Sequence, residues 1–156
     1  MVAEEAQVHQ LMELLQLMGV RQQQFERSMA DALGIDRTSL EVVYQLIRRG
    51  PSTPTEVAKG VGMSTAATAQ VLKRLDAGGH LERAQHASDR RKVVVSATDR
   101  TASEAERYVS PLIAAVGRLL SGATPDDLDA IAWFLGAMAD LYGHPDHLQD
   151  RPRLRG

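Results

Sequence analysis

Apolar residues recur along most of this chain at the three- and four-residue spacing of an amphipathic helix. Residues 7–33 carry Val8, Leu11, Met12, Leu14, Leu15, Leu17, Met18, Phe25, Met29 and Leu33. The first half of that stretch is apolar on more than one face, which predicts burial on more than one side. In a small protein this suggests a dimer interface. Gly19 offers a place for a kink, and Gly34 closes the helix. A second helix is expected from Asp36 or Thr38 to about Arg49, with Leu40, Val43, Tyr44 and Ile47 at i, i+3, i+4, i+7. Gly50-Pro51 ends it.

Thr53-Pro54-Thr55-Glu56 is a helix start: a capping threonine, a proline at the first helical position and a glutamate that closes a capping box. The helix is short, and glycines at 60 and 62 make a tight turn. Ser64 then caps a further helix over 65–77, ended by Gly78-Gly79. The period next changes to two. Residues 81–84 and 91–96 read as strands, with Val93 and Val95 facing one way and Lys92 and Val94 the other. The polar stretch 85–90 between them makes a hairpin with a basic tip. A long helix is expected over 101–120, with Tyr108, Val109, Leu112, Ile113, Val116, Leu119 and Leu120 in a wide stripe and Pro111 bending it. Thr124-Pro125 starts a last helix bearing Leu128, Ile131, Leu135, Met138 and Tyr142. Gly143 and Pro145 end it, and residues 144–156 form a polar tail.

Charge sharpens this picture. The 156 residues carry a formal net charge of −2, which by itself disfavours a polyanionic partner. Residues 48–100, however, hold ten Lys/Arg and five acids, a local +5, and the rest of the chain carries −7. A basic centre between acidic flanks is the asymmetry of a chain whose middle meets nucleic acid, or of a patchily charged surface. The chain has no cysteine, which excludes disulfides, thiolate metal sites and cysteine nucleophiles. No apolar run reaches the roughly 18 residues of a membrane span. The start, MVAEEAQVHQ, lacks a basic signal-peptide region, so a cytoplasmic protein is expected.

Short helix, glycine turn, second helix and basic hairpin is the order of a winged helix-turn-helix. At 100° per residue, Thr68, Val71, Leu72 and Leu75 form the core side of the second helix. Thr65, Ala66, Ala69, Gln70, Lys73 and Asp76 form the opposite face. Small side chains near the helix start let it approach DNA, where backbone N–H groups can bond phosphate. Gln70 can pair with adenine and Lys73 can reach guanine or phosphate. The tip stretch Asp89-Arg90-Arg91-Lys92 sets three cations beside one carboxylate, and an arginine there can enter a narrow minor groove. Asp89 is placed to pair with Arg91 and direct it. Each element has a plainer reading, an ordinary amphipathic helix and a solvated hairpin, but their proximity favours DNA.

The residues STAATAQVLKRLDAGGHLER at 64–83, followed by SDRRKVVVSAT at 88–98, resemble the MarR family of bacterial transcription regulators. The resemblance covers about residues 7–142. It implies a mainly α winged helix-turn-helix fold, with residues 36–100 as the DNA-binding domain and 1–35 and 101–143 as a helical dimerisation region. It further implies a homodimer on a pseudo-palindromic operator in double-stranded DNA. Such a protein most often represses, and is released by a small aromatic or anionic effector. The DNA-binding residues expected are Ser64, Thr65, Ala66, Ala69, Gln70, Lys73, Asp89, Arg90, Arg91 and Lys92. The chain departs from the family at two places: Gln70 stands where arginine is frequent, and Ala97-Thr98-Asp99-Arg100-Thr101 replaces a common Leu-Thr-Gly.

Phe25, Tyr44, Tyr108 and Leu112 are candidate walls of an effector site, or plain core. Trp133, Phe134 and Tyr142 fit core packing better than a pocket, and Met12, Met18, Met29 and Met138 read as adaptable packing. His144 and His147, with Asp140 and Asp150, have metal-ligand character, but Pro145 breaks the helical spacing and no metal is expected. His9, His80 and His86 are scattered; His86 could add a phosphate contact. No serine-histidine-aspartate set, phosphate loop or HExxH motif is present, so neither an enzyme nor a cofactor is expected. The alternatives are a winged helix used only for protein contacts, which needs no cations on helix and wing, and a small-molecule carrier.

Overall fold

A computed structural model describes residues 2–86, 88, 89 and 91–144, and the side chains from residue 5 onward. Among them the order is α1 (Val2–Leu33), α2 (Arg37–Arg49), α3 (Pro54–Val61), α4 (Thr65–Ala77), β1 (Leu81–Gln85), β2 (Val93–Ala97), α5 (Asp99–Leu120) and α6 (Pro125–Gly143). The tail at 145–156 lies outside the described residues.

Side-chain caps fix the helix starts, as the sequence predicts. The Asp36 carboxylate accepts the Ser39 N–H at 2.9 Å and caps α2. Thr53 and Glu56 form a reciprocal capping box on α3, and Thr124 and Asp127 form one on α6. The Ser64 hydroxyl accepts the Ala67 N–H at 3.2 Å and starts α4. Gly62, at φ 68°, makes the left-handed turn between α3 and α4, a conformation other residues adopt at a cost. α5 begins two residues before the expected Thr101 because Thr98 caps it: its Oγ1 accepts the Thr101 N–H at 3.3 Å. Thr98 thus starts the helix, with Asp99 as its first residue. The helix continues unbroken through Pro111, as α1 does through Gly19.

The chain divides into two compact units, Met1–Val109 and Ser110–Gly156. In the first, α2 lies between two apolar clusters. Val42, Val43 and Leu46 pack with Val57 of α3, Val71, Leu72 and Leu75 of α4, Leu81 of β1 and Val95 of β2. Leu40 faces Met29, Ala30 and Leu33 of α1 and Ala105 of α5, and Ile35 touches both clusters. Each fully buried aliphatic side chain contributes about 1.5–3 kcal/mol, so the first cluster dominates the stability of the winged segment.

β1 and β2 pair antiparallel, Leu81 opposite Ala97 through Gln85 opposite Val93. Ser52 bridges Val95 from the other side through N–H···O bonds of 3.0 and 2.8 Å. β2 starts at Val93, not Arg91, and the simple alternation fails. Val94 and Val95 are both buried, while Val93, paired with Gln85 at the loop end of the hairpin, is exposed. With β1 on one side and Ser52 on the other, the middle of β2 is an interior strand.

The second unit holds the rest of α5 and α6. α6 has no buried residue. The expectation that Trp133 and Tyr142 are core is corrected here: Trp133 is 74% exposed and Tyr142 also lies open. Trp133 falls on the side of α6 opposite the Leu128–Ile131–Leu135 stripe, and among the described residues no element of this unit encloses it. In α1 of the first unit, Val8, Leu11, Met12, Leu14, Leu17, Met18 and Val20 are likewise exposed. Among the described residues no helix is long and apolar enough to cross a membrane.

Candidate nucleic-acid interface

α4 presents the two faces its sequence predicts. Thr68, Val71, Leu72 and Leu75 are buried. Ser64, Thr65, Ala66, Ala69, Gln70, Lys73 and Asp76 are exposed. The Ser64 hydroxyl is already engaged as the cap, so its part in any contact is to hold the helix N-terminus. Thr68 Oγ1 donates to the Ser64 carbonyl at 2.9 Å and stiffens that first turn. Among the described residues, no ion pair or side-chain hydrogen bond engages Gln70 or Lys73, so both functional groups face solvent uncommitted.

The neighbouring charges are committed. Arg74 reaches back to Asp36, its Nε and Nη2 each 3.2 Å from Oδ2. Asp76 accepts from Arg83 Nε of β1 at 3.0 Å. These two ties leave the sequence to β1 with little free charge at the end of α4. Burial opposes ionisation of Asp36, but the backbone and hydroxyl hydrogen bonds of Ser39 and the Arg74 guanidinium outweigh it and hold its carboxyl below the usual carboxylate range.

In the hairpin, Asp89 organises the tip. Its Oδ1 accepts the Arg91 N–H at 3.1 Å and lies 3.8 Å from Arg91 Nε, and its Oδ2 lies 3.9 Å from Lys92 Nζ. The Arg91 side chain is nonetheless 97% exposed. The pairing therefore aims the guanidinium without sequestering it. Arg90 lies outside the described residues. His86 accepts the Ser88 N–H at Nδ1, 3.3 Å away. Where the hairpin loop leaves the strands, an open groove of about 470 Å³ is lined by Thr53, Pro54, Thr55, Glu56, His86, Lys92 and Val93. The Thr53 backbone and hydroxyl bonds hold the Glu56 carboxyl below its ordinary pKa, and His86 and Lys92 add to this.

Sequence reasoning missed two residues of this region. His80 is buried, with Nδ1 3.1 Å from Thr101 Oγ1, and joins the turn after α4 to the start of α5. Asp36 was read only as a cap. The sole local signal for either was a polar residue beside a helix end.

Three of the four candidate effector-site residues come together. Phe25 and Tyr108 stack with ring centroids 5.1 Å apart, tilted by 56°. The Tyr44 hydroxyl donates to Met29 Sδ at 2.8 Å, and Tyr44 and Tyr108 both pack on the second cluster. An open groove of about 410 Å³ beside them is lined by Ala32, Leu33, Glu104, Arg107 and Tyr108. Leu112 belongs to the second unit and is exposed. Among the described residues no group of three or more histidines and carboxylates is placed to hold a metal ion; His147 and Asp150 lie outside them.

A sequence profile of the MarR family matches residues 33–92, from the end of α1 through the hairpin tip. The chain is 30% identical over 129 residues to the uncharacterized HTH-type transcriptional regulator YcgE of Bacillus subtilis (strain 168), an alignment covering 83% of this chain and 84% of that one. The chain belongs to the MarR family. Solved structures of the family share the fold of this MarR-family regulator at lower identity. A MarR family protein from Bacillus stearothermophilus superposes with a TM-score of 0.67 at 15% identity, over 89% of this chain and 97% of that one. A mutant of S. aureus MepR bound to an oligodeoxyribonucleotide gives 0.58 at 16% identity, over 83% and 96%. In the MarR-family frame, α3 and α4 are the helix-turn-helix and the hairpin is the wing.

Proposed function

We propose that this MarR-family regulator binds a pseudo-palindromic operator as a homodimer, represses by occupying it, and is released by a small aromatic or anionic ligand. One observation carries the DNA contact: Gln70 and Lys73 stand uncommitted on the outer face of α4, while Arg74, Asp76 and Arg83 beside them are tied internally. Arg91 extends the same basic segment from the wing. Thr65, Ala66 and Ala69 keep the helix start slim enough to enter the major groove, and Gln70 and Lys73 follow one turn on. Arg90, Arg91 and Lys92 supply phosphate or minor-groove contacts, with Asp89 directing Arg91 and Lys92. That a MepR mutant of the same fold is bound to an oligodeoxyribonucleotide supports DNA as the partner.

The apolar surface left open on α1, α5 and α6 supports the dimer. Most of the chain's exposed large hydrophobic residues lie on these three helices, a concentration of the kind that marks an interface. We assign residues 1–35 and 101–143 to dimerisation and 36–100 to DNA. Two copies related by a two-fold axis would place their recognition helices in successive major grooves, with half-sites about 10 bp apart. A ligand at the Phe25–Tyr44–Tyr108 layer, where α1, α2 and α5 meet, would act on the helix leading out of the wing. If it binds the DNA-incompetent form better, it shifts the population away from the operator.

Selection of bound duplexes from a random pool tests the reading, with half-site spacing read from the recovered sequences. Sedimentation at micromolar concentration is expected to show a dimer; a folded monomer would refute that part. Linkage requires an effector to bind the free protein more tightly than the DNA complex. Calorimetric titration of a candidate aromatic acid with and without the selected duplex is expected to show the difference, and equal affinities would eliminate that compound.

A further inference from the structure

We propose that Asp36 is a positioning residue for the recognition helix: through Arg74, its carboxylate sets how α4 is presented to duplex DNA. The inference rests on the DNA-binding reading above. Asp36 has two tasks on one side chain. It caps α2, Oδ1 accepting the Ser39 N–H at 2.9 Å and Oδ2 the Ser39 hydroxyl at 3.0 Å. Oδ2 also accepts from Arg74, 38 residues further along, with Nε and Nη2 both at 3.2 Å. The cap alone needs no charge, since asparagine and serine cap as well as aspartate. Only a carboxylate adds a charge-assisted grip on a guanidinium.

Arg74 sits in the last turn of α4, next to Lys73 and one turn after Gln70. The inner face of α4 is held by Thr68, Val71, Leu72 and Leu75. Apolar packing fixes depth and which face of the helix is buried, and the fine rotation about the axis is where a directional contact adds. The planar guanidinium fork resists that rotation, because turning α4 swings Arg74 off Asp36. Asp76 and Arg83 oppose it on the β1 side. Gln70 lies four residues before Arg74, on the same side of the helix, so the direction that Asp36 fixes for Arg74 is transmitted to the base-reading amide. Both partners are about half exposed, so the pair adds little to folding stability and its effect is expected in recognition.

The competing reading is that Arg74 leaves Asp36 and contacts phosphate. The test uses the full chain, the tightest duplex from the random-pool selection and a scrambled duplex of equal length. Asp36→Asn keeps a good cap and removes the charge. It is expected to leave the thermal midpoint unchanged and to weaken binding to the selected duplex roughly three- to tenfold. Affinity for the scrambled duplex stays constant or rises, since an acid near a polyanion is gone. Arg74→Gln is expected to give the same loss of discrimination with an unchanged salt slope. A salt slope shallower by about 0.9 per half-site makes Arg74 a phosphate contact and overturns the proposal. Equal tightening of Asp36→Asn on both duplexes, or unchanged discrimination, overturns it as well. A wild-type chain that selects no duplex fails the DNA-binding reading itself, an outcome distinct from these.

Discussion

Replacing Arg91 with alanine isolates the electrostatic part of DNA binding. The side chain is 97% exposed, and its contact with Asp89 is a loose 3.8 Å. Its loss therefore leaves the thermal midpoint unchanged. On DNA the same exposure makes it available to a groove or phosphate. Each lost phosphate neutralisation makes the slope of log K against log salt shallower by about 0.9, and the proposed dimer loses two, or about 1.8. Raising salt from about 50 to about 200 mM then shrinks the wild-type advantage by roughly twelvefold, a factor of four to the power 1.8. Fluorescence anisotropy of a labelled selected duplex across that range reads the slopes directly. The weakening should extend to unrelated duplexes, since backbone contacts carry no sequence information. Parallel salt plots for mutant and wild type would refute the placement of the wing on DNA.

Gln70→Ala is expected to relax discrimination at one base position, costing about 1–3 kcal/mol per half-site if the amide pairs bidentately; affinities for the four base-pair variants at that position measure it. Gly60→Ala would gain about 1 kcal/mol from helix propensity alone. Its Cβ, however, would overlap the side-chain amide of Gln45, which is only 9% exposed. Overpacking costs about 1–3 kcal/mol, so urea unfolding should show a net loss of about 1 kcal/mol that turns into a gain in a Gln45→Ala background. A gain in the wild-type background would contradict the packing argument. Burial makes His80 harder to protonate, Arg100 adds to this and Glu104 opposes it, so its pKa lies below the ordinary 6.5. The unfolded chain takes up that proton first as pH falls. This contribution to stability is therefore full above about pH 6.5 and is lost as pH drops toward the folded value. Melts between about pH 5 and about pH 7.5 should show a drop on the acid side that is smaller in His80→Gln. An identical drop in the variant would assign it to other groups.

The sequence by itself determined the features whose physics is local. Thr53 with Glu56, Ser64, and Thr124 with Pro125 start helices because a cap needs only an oxygen three residues before an orphan N–H. Thr68, Val71, Leu72 and Leu75 announced the buried face of α4 because a helix repeats every 3.6 residues wherever it lies, and the same period placed Gln70 and Lys73 outside. The family resemblance carried by 64–83 and 88–98 extended this to the fold. What the tertiary structure decided lies between segments distant in sequence. Val94 and Val95 are both buried in a strand flanked by β1 and Ser52, a setting that a period-two reading does not contain. Trp133 stays exposed because, among the described residues, no element of its unit covers that side of α6, whereas composition counts tryptophan as core. Thr101, 21 residues away, gives the buried His80 its partner. Asp36 looked complete as a cap until α4 brought Arg74 to its free lone pairs. A charge pair 38 residues apart leaves no periodic trace along the chain, because its spacing is set by the packing of α2 against α4 and not by the repeat of either helix.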